Sequence, residues 1–264
     1  GRIREDNRTF PDSHVCGKGR KVEMLDNLRG IWCIIAKDMK TYYLKPPAVS
    51  WGMVFPVTWT LAFYLRNPVD FKGLIPGLIA MTALFSTTAA EAVVINFELR
   101  LGTLERLLLA PINMAAILLG KILGGAIFGF IMSTIVTVTC ALFLNFHVNW
   151  PSFFLILLPS LLAFSTMGSL LCLLVREVFE AQTLLNLPRF VMVFASGVVY
   201  PIEFMPRSLQ IFAHFLPLTY AVKGFKSVST IGTTSLPALH AAILLGFFTL
   251  FLFPAIKLLG KKFQ

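Results

Sequence analysis

Charged side chains are scarce in this chain, since Asp, Glu, Lys and Arg together make up 14% of its 264 residues. Hydrophobic residues account for 56%, 25 residues are phenylalanine, and the mean hydropathy is +0.77. A water-soluble domain cannot bury that much apolar surface in one core. The composition therefore excludes a soluble globular domain and indicates a protein that crosses a membrane several times.

The sequence also lacks the patterns of several kinds of site. Its four cysteines show no CxxC or Cys/His spacing, so neither a disulfide framework nor a zinc site is predicted. No GxxxxGK[ST] phosphate-binding loop is present, so we do not expect this chain to bind ATP phosphates by itself. The net charge of +10 comes without a basic run interleaved with aromatic residues, which argues against nucleic acid as a partner.

Six apolar stretches approach or exceed the length that an α-helix needs to cross a bilayer. We therefore predict an all-α integral membrane protein with about six transmembrane helices. The predicted spans cover residues 48–65, 73–95, 113–144, 152–175, 184–200 and 236–258. Most Lys and Arg residues then lie on one side, so the positive-inside rule places both termini in the cytoplasm. The external exceptions are Arg66, Lys72, Arg207, Lys223 and Lys226.

Two segments precede the first span. Residues 1–23 are polar and show no hydrophobic periodicity, so we expect them to be disordered or to be an extension of the chain. Residues 24–47 place Leu28, Ile31 and Ile35 at helical spacing with charged residues between them. This pattern predicts an amphipathic helix on the cytoplasmic membrane surface, ended by two consecutive prolines.

The sequence FELRLGTLERLLLAP, residues 97–111, is a charged and periodic interruption between two long apolar segments. Its spacing predicts an amphipathic helix that lies on the membrane surface. The apolar face would carry Phe97, Leu101, Leu104 and Leu108. The polar face would carry Glu98, Gly102, Glu105 and Arg106. Such a helix offers its polar face to an aqueous partner, although a plain interfacial helix that binds nothing would show the same pattern.

The stretch of residues 201–217 is apolar but is broken by Pro201, Pro206 and Pro217. We predict a re-entrant pair of short helices on the external side. Backbone that is not helical is tolerated at membrane depth only where protein or cavity water covers it, so this stretch is expected to form an external gate. A simple external loop with one amphipathic helix is the alternative.

A few polar and small residues lie inside the predicted spans. Glu91 is near the inner end of its span, and we expect it to snorkel to the interface or to be paired rather than to be functional. The pairs Gly120/Gly124 and Gly125/Gly129 have the GxxxG spacing that lets two helices approach closely.

Two stretches resemble the signatures of one family. FELRLGTLERLLLAPIN, residues 97–113, is similar to the motif that follows the second span of ABC type-2 exporter permeases. SGVVYPIEFMPRSLQIFAHFLPLTYAVKGFK, residues 196–226, is similar to that family's second signature before the last span. The second signature is closest to the drug-resistance and nodulation-factor exporter branch. With the spans between the motifs, the resemblance covers residues 24–264.

The resemblance implies a permease domain over residues 48–264 that belongs to an ATP-driven exporter in the cell membrane. The exporter would move an amphipathic drug, lipid or glycolipid out of the cytoplasm or the inner leaflet. Two copies of a separate ABC ATPase subunit would bind ATP and Mg, and a second permease, most simply another copy of this chain, would complete the transporter. Surrounding membrane lipid is a further implied partner.

The resemblance also implies roles for two sets of residues. A coupling helix over residues 97–110 would contact the ATPase, and residues 201–217 would close the external exit. The residues assigned to ATPase coupling are Glu98, Arg100, Gly102, Thr103, Glu105 and Arg106. The residues assigned to the gate are Pro201, Glu203, Phe204, Pro206, Phe212 and Pro217. No catalytic, cofactor-binding or metal-binding residue is predicted in this chain.

A membrane-embedded enzyme that modifies lipid is the main alternative function. Such an enzyme needs several ionisable groups that converge at membrane depth, whereas Glu91 stands alone and His147, His214 and His240 share no ligand spacing. A passive channel would need rings of polar residues along one helix face, and the Ser and Thr residues of the second and third spans are too few to predict one.

Overall fold

The computed structural model of the chain describes residues 27–43, 49–66, 71–103, 107, 112–144, 146, 148–175, 178–229 and 237–262. Within these ranges the chain is helical throughout apart from short turns and contains no strand, which confirms an all-α protein. The prediction for residues 1–23 lies outside the described residues.

Nine helices can be followed in chain order within these described ranges. The first, α1, covers residues 27–43 and finishes in a π-helical turn, Met39–Tyr43; α2 covers residues 49–66 and joins a π-helical turn, Ser50–Val54, to the α-helix Phe55–Arg66. The remaining helices are α3 (Phe71–Arg100), α4 (Met114–Leu144), α5 (Trp150–Leu174), α6 (Val178–Ala195), α7 (Arg207–Ala213), α8 (Pro217–Ser229) and α9 (Pro237–Lys262). A 3₁₀ turn, Ile202–Phe204, lies between α6 and α7.

Four of these helices are long and apolar enough to cross a membrane, which confirms a multi-pass membrane protein. They are α3, α4, α5 and α9, with 29, 30, 25 and 25 residues in the apolar segment. They coincide with four of the six predicted spans. The other two predictions coincide with α2 and α6, which are helical but do not combine the same length and apolarity within the part of the chain that is described.

α3 is the central helix of the fold. Every residue in its most apolar segment is buried, whereas α9 buries 17% of the corresponding segment and lies at the periphery. α2, α4, α5, α6 and α8 all pack against α3. This crowding is possible because α3 carries many small residues, and small side chains let neighbouring helices approach closely. Its buried hydroxyl groups at Thr82, Ser86 and Thr87 donate hydrogen bonds to carbonyl groups of α3 itself.

The two GxxxG pairs of α4 face different neighbours, and both contacts lie within this chain. A methyl group at Gly120 would lie 3.3 Å from Ile34, and one at Gly124 would lie 3.1 Å from the Tyr43 hydroxyl, so this pair packs against α1. Gly125 and Gly129 instead pack against side chains of α3 and α5. The close approach predicted from the spacing is confirmed.

The boundaries of α6 differ from the predicted span of residues 184–200. The helix begins at Val178. The predicted span began later because the first turns of the helix include the polar residues Glu180 and Gln182, which do not belong to an apolar segment. It ends at Ala195, just before Gly197, whose φ of +80° reverses the chain direction. The predicted span is therefore displaced toward the C terminus by several residues at each end.

Candidate functional site

The end of α3 is the first part of the site. Residues 97–100 form its last turn, so the amphipathic helix predicted to start at Phe97 does not start there. No glycine or proline occurs between Ile95 and Gly102, and Gly102 adopts a φ of +64° and turns the chain. The amide of Leu101 donates to the Phe97 carbonyl at 2.9 Å, and the Gly102 amide donates to the Leu99 carbonyl at 3.3 Å, as at an α-helical C terminus.

The residues assigned to ATPase coupling are thus divided between two segments. Glu98 and Arg100 belong to α3, whereas Gly102 lies in the turn that follows it and Thr103 is helical. Arg100 is exposed, and Gly102 and Thr103 are half-buried. Glu105 and Arg106 lie outside the described residues, so their placement on a surface helix stays a prediction.

Four charged residues from three helices meet beside this turn, and we call them the inner charge cluster: Lys37 and Asp38 of α1, Glu98 of α3 and Lys121 of α4. Glu98 accepts short hydrogen bonds from both Lys37 and Lys121. The Asp38 carboxylate lies 3.0 Å from Lys37 Nζ and 3.4 Å from Lys121 Nζ. Two cations and two anions therefore alternate, and each lysine contacts both carboxylates.

Burial makes the inner charge cluster unusual. Glu98 is 1% exposed, Lys121 is 2% exposed and Asp38 is fully buried, whereas the Lys37 side chain is 43% exposed. The expectation that Glu98 faces an aqueous partner is therefore wrong. A helix considered alone would turn Glu98 toward water, but in α3 the same side faces α1 and α4.

The environment shifts the pKa values of the two members on α1. Burial lowers the pKa of Lys37, but hydrogen bonding to Glu98 and the nearby negative charges outweigh burial, so the pKa is raised from its ordinary value. Burial raises the pKa of Asp38, and the positive charge of Lys121 opposes that shift only in part. Lys37 thus stays positively charged at neutral pH, as the pairing requires.

Apolar contacts hold α1 in place beside the inner charge cluster. Tyr43 is fully buried and stacks on Phe128 of α4, with ring centroids 5.6 Å apart. At the other end of α1, the side-chain oxygen of Asn27 accepts a hydrogen bond from the Asn113 amide at 3.0 Å. Leu28 and Trp32 point away from this contact and are exposed. α1 therefore has one packed side and one apolar side that is open to lipid.

Glu91 of α3 occupies a second buried polar position. It has no exposed surface, and its two carboxylate oxygens accept hydrogen bonds from Ser165 at 2.7 Å and Ser169 at 2.9 Å, both on α5. Of the two alternatives predicted for Glu91, snorkelling to the interface is wrong, and pairing is confirmed because its carboxylate accepts hydrogen bonds from interior hydroxyl groups. Helix packing accounts for this residue, and we assign it no transport role.

Gly125 of α4 provides the space that Glu91 occupies. A methyl group at Gly125 would collide with the Glu91 carboxylate and would lie 2.9 Å from Ser165 Oγ. We expect Gly125→Ala to lower the free energy of unfolding by about 1–3 kcal/mol, as overpacking of a filled core does. Gly246→Ala in α9 is the matched control, because nothing lies within 4 Å of its added methyl group. Thermal unfolding of the two purified variants would measure the difference, and equal midpoints would contradict the packing argument.

Arg189 of α6 is a third buried polar group, and the sequence analysis missed it. Its side chain has no exposed surface, and the hydrogen-bond partners of its guanidinium among the described residues are neutral: Thr88, Asn186 and Gln182. The signal was nevertheless present, because an arginine inside a predicted span is unusual in itself.

The stretch assigned to the external gate forms the 3₁₀ turn, α7 and the start of α8. Short helices separated by prolines were predicted here and are observed. Local hydrogen bonds satisfy several carbonyl groups: Gln210 donates to the Met205 carbonyl at 2.8 Å, and Thr219 donates to the Ala213 carbonyl at 2.6 Å.

Most of the gate residues are exposed on the surface of the single chain. Phe204 is 73% exposed and Phe212 is 45% exposed. The remaining exposed members are Pro201, Glu203 and Pro206, while Pro217 is buried. The covering by protein that was expected for this stretch is therefore not supplied by the described part of the chain.

Comparison with known proteins assigns this arrangement to a family. The family model described as "ABC-2 type transporter" matches residues 29–229, which include α1 through α8. The chain is 27% identical over 216 residues to the inner membrane transport permease YadH of Escherichia coli K12, an alignment that covers 75% of this chain and 81% of YadH. It is 28% identical over 200 residues to the transport permease ycf38 of Cyanophora paradoxa, covering 68% of this chain and 67% of ycf38.

Proposed function

The chain belongs to the ABC-2 type transporter family, and from that premise we propose that it is the permease subunit of an ATP-driven exporter. The exporter moves an amphipathic molecule out of the cytoplasm or the inner leaflet. An ABC ATPase subunit, present in two copies, binds ATP and Mg and supplies the work, and a second copy of this chain completes the translocation path. The membrane is the cell membrane, with both termini on the cytoplasmic side.

The inner charge cluster is the observation that carries this proposal. It ties α1, α3 and α4 together by buried ion pairs, immediately before the turn at Gly102 from which the proposed coupling segment departs. A displacement of that segment by a partner is therefore transmitted to three helices at once, since buried ion pairs resist separation. An ATPase that moves residues 103–110 can in this way move the membrane helices.

The apolar character of the chain supports an amphipathic substrate. Large exposed apolar side chains occur on α2, α6 and the gate stretch, where they can contact lipid or the apolar part of a substrate. Apolar walls discriminate weakly between apolar bodies, so drugs, lipids and glycolipids all fit this description.

Recovery of the ATPase tests the proposal. Glu105→Ala and Arg106→Ala remove charges that we place on the docking side of the coupling helix. Loss of a partly desolvated charge contact weakens an interface by about 2 kcal/mol or more, so the ATPase recovered with the purified permease should fall visibly. Lys72→Ala, an exposed lysine at the opposite end of α3, is the matched control. Full recovery and full transport in both coupling variants would refute the assignment.

Gly102 needs a control of its own in such experiments. Because its φ is +64°, any side chain there strains the turn in addition to adding bulk. Gly102→Ala introduces backbone strain with a small side chain, whereas Gly102→Trp introduces both backbone strain and a large side chain. Loss of the ATPase in the tryptophan variant alone supports a close-fitting dock at this turn, and equal loss in both variants assigns the effect to backbone strain.

A further inference from the structure

The guanidinium of Arg189 is buried, and no residue in the described part of the chain provides a counter-charge for it. Its Nε donates to Thr88 Oγ1 at 2.7 Å, and its Nη1 donates to the side-chain oxygens of Asn186 at 3.0 Å and Gln182 at 3.4 Å. Nη2 has no hydrogen-bond partner among the residues that the structure describes. The ring of Phe85 covers one face of the group at 5.3 Å. None of the ion pairs found in the described ranges includes Arg189.

Lys121 is a second buried cation in this chain, and its environment differs from that of Arg189. Lys121 contacts two carboxylates, Asp38 and Glu98, and is thereby neutralised. Among the described residues, Arg189 has neutral hydrogen-bond partners and one unused donor. A buried charge without an opposite charge is unfavourable, and an ionisable residue at membrane depth marks a functional site by default. Arg189 can therefore bind an anion that the described part of the chain does not provide.

A groove on the surface of α6 begins beside Arg189. It has a volume of about 870 Å³, and its lining includes the apolar residues Leu184, Leu187 and Val191. Asn186 belongs to the groove wall and also accepts a hydrogen bond from Arg189, so this side chain links the groove to the guanidinium. Arg189 itself is fully buried and is not part of the groove wall, so an occupant of the groove reaches it only if Asn186 moves.

Charge is distributed unevenly along this groove. Among the described lining residues, the acidic one is Glu180, which precedes Arg189 by nine residues, about 13 Å along a helix. At that distance Glu180 cannot form an ion pair with Arg189. An anionic head is attracted to the end near Arg189 and repelled from the end near Glu180, which orients any amphiphile that binds here.

We propose that Arg189 binds the anionic head, a carboxylate or a phosphate, of an amphipathic substrate whose apolar tail lies in the groove of α6. The planar fork of a guanidinium suits both kinds of oxyanion. This inference rests on the proposed transport function and narrows its substrates to anionic amphiphiles.

Binding to the full chain in phosphatidylcholine nanodiscs tests the proposal. The probes are a fluorescent long-chain carboxylate and its methyl ester, which share a tail and differ only in the charge of the head. The unmodified protein should bind the carboxylate about tenfold or more tightly than the ester, as expected for a hydrogen bond to a charged group. Arg189→Gln should abolish this preference and leave the affinity for the ester unchanged.

A second variant keeps the arginine in place. Asn186→Asp puts a carboxylate next to Nη1 without changing the side-chain volume, so it supplies an internal counter-ion that competes with the probe. It should abolish the preference for the carboxylate even if Arg189→Gln fails to fold. Arg207→Gln removes an exposed arginine of α7 and should leave the preference intact.

Equal binding of acid and ester by the unmodified protein would overturn the proposal, as would a preference for the carboxylate that survives Asn186→Asp. Displacement of the probe by inorganic phosphate at equal concentration would overturn it as well, because the groove would then contribute nothing to binding. ATPase recovery is measured on the same preparations. If the ATPase is recovered but the preference is absent, only the Arg189 site is refuted. If the preference is present but no ATPase is recovered, the proposed transport function fails and the anion site stands.

Discussion

Lys121→Ala is expected to destabilise the protein by about 3–5 kcal/mol, the range for breaking a buried ion pair by removing one partner. The variant leaves Asp38 and Glu98 buried with Lys37 as their only cation in the inner charge cluster, and Lys37 is itself 43% exposed. Thermal unfolding of the purified protein measures the effect. Lys40→Ala removes an exposed lysine from the π-helical turn of α1 and should change stability by less than about 0.5 kcal/mol.

A double variant separates the charge effect from lost packing. Lys121→Met combined with Glu98→Met removes one cation and one anion and leaves the pair Lys37–Asp38, at 3.0 Å, intact. Replacement of a buried ion pair by apolar residues of similar volume is often neutral, so the double variant should recover most of the lost stability. If Lys121→Ala is no less stable than Lys40→Ala, the inner charge cluster does not hold α1 to the bundle, and the proposed transmission of motion through it loses its basis.

The long helices could be predicted because length and hydropathy are properties of consecutive residues. α4, α5 and α9 coincide with predicted spans to within a few residues. α3 was predicted to end at residue 95 because Glu98 and Arg100 were interpreted as surface charges. The helix continues because neither residue breaks it, and Gly102 is the first glycine or proline after residue 95.

The ion pairs could not be predicted, since their partners are far apart in the sequence. Lys37 and Glu98 are separated by 61 residues, Asp38 and Lys121 by 83, and Glu98 and Lys121 by 23. Helical periodicity shows which side chains share a face but not which neighbouring helix covers that face. The orientation of Glu98 therefore depends on packing between helices, which the sequence of a single helix does not reveal.

Arg189 differs from the ion pairs, because its position within a predicted span could be recognised from the sequence alone. It lies within the predicted fifth span, and arginine at membrane depth is rare enough to indicate function without any structure. What the structure adds is its environment: neutral partners, one unused donor and an adjacent groove. Those features distinguish a site that awaits an anion from a neutralised structural cation such as Lys121.

The exposed gate stretch leads to the second large expected effect. Phe204 and Phe212 are open on the single chain, yet they are large apolar residues in a segment that is expected to lie at membrane depth. In the assembled transporter we expect a second permease to cover them. Cysteines at these two positions should then react slowly with an impermeant thiol reagent in the resting state and faster when ATP is supplied.

The expected decrease in the labelling rate follows from the free energy that is needed to uncover the cysteine. A cover that requires about 1.4 kcal/mol to open reduces the labelling rate about tenfold. Cys33 is exposed and would react as well, so Cys16 and Cys33 are first replaced by serine, while Cys140 and Cys172 are buried and can remain. Asn149, exposed in the turn before α5, is the control position, and a cysteine there should react at one steady rate with or without ATP.

The comparison between the assembled complex and the permease alone decides where the cover comes from. If a second chain provides it, Phe204→Cys and Phe212→Cys should be protected in the complex and should lose this protection once the chains are separated. Their exposures of 73% and 45% in the single chain already give the expected order of rates, with Phe204→Cys the faster. Fast labelling at both positions in the resting complex, unchanged by ATP, would mean that residues 201–217 form an ordinary external loop. The transporter would then close its exit path elsewhere.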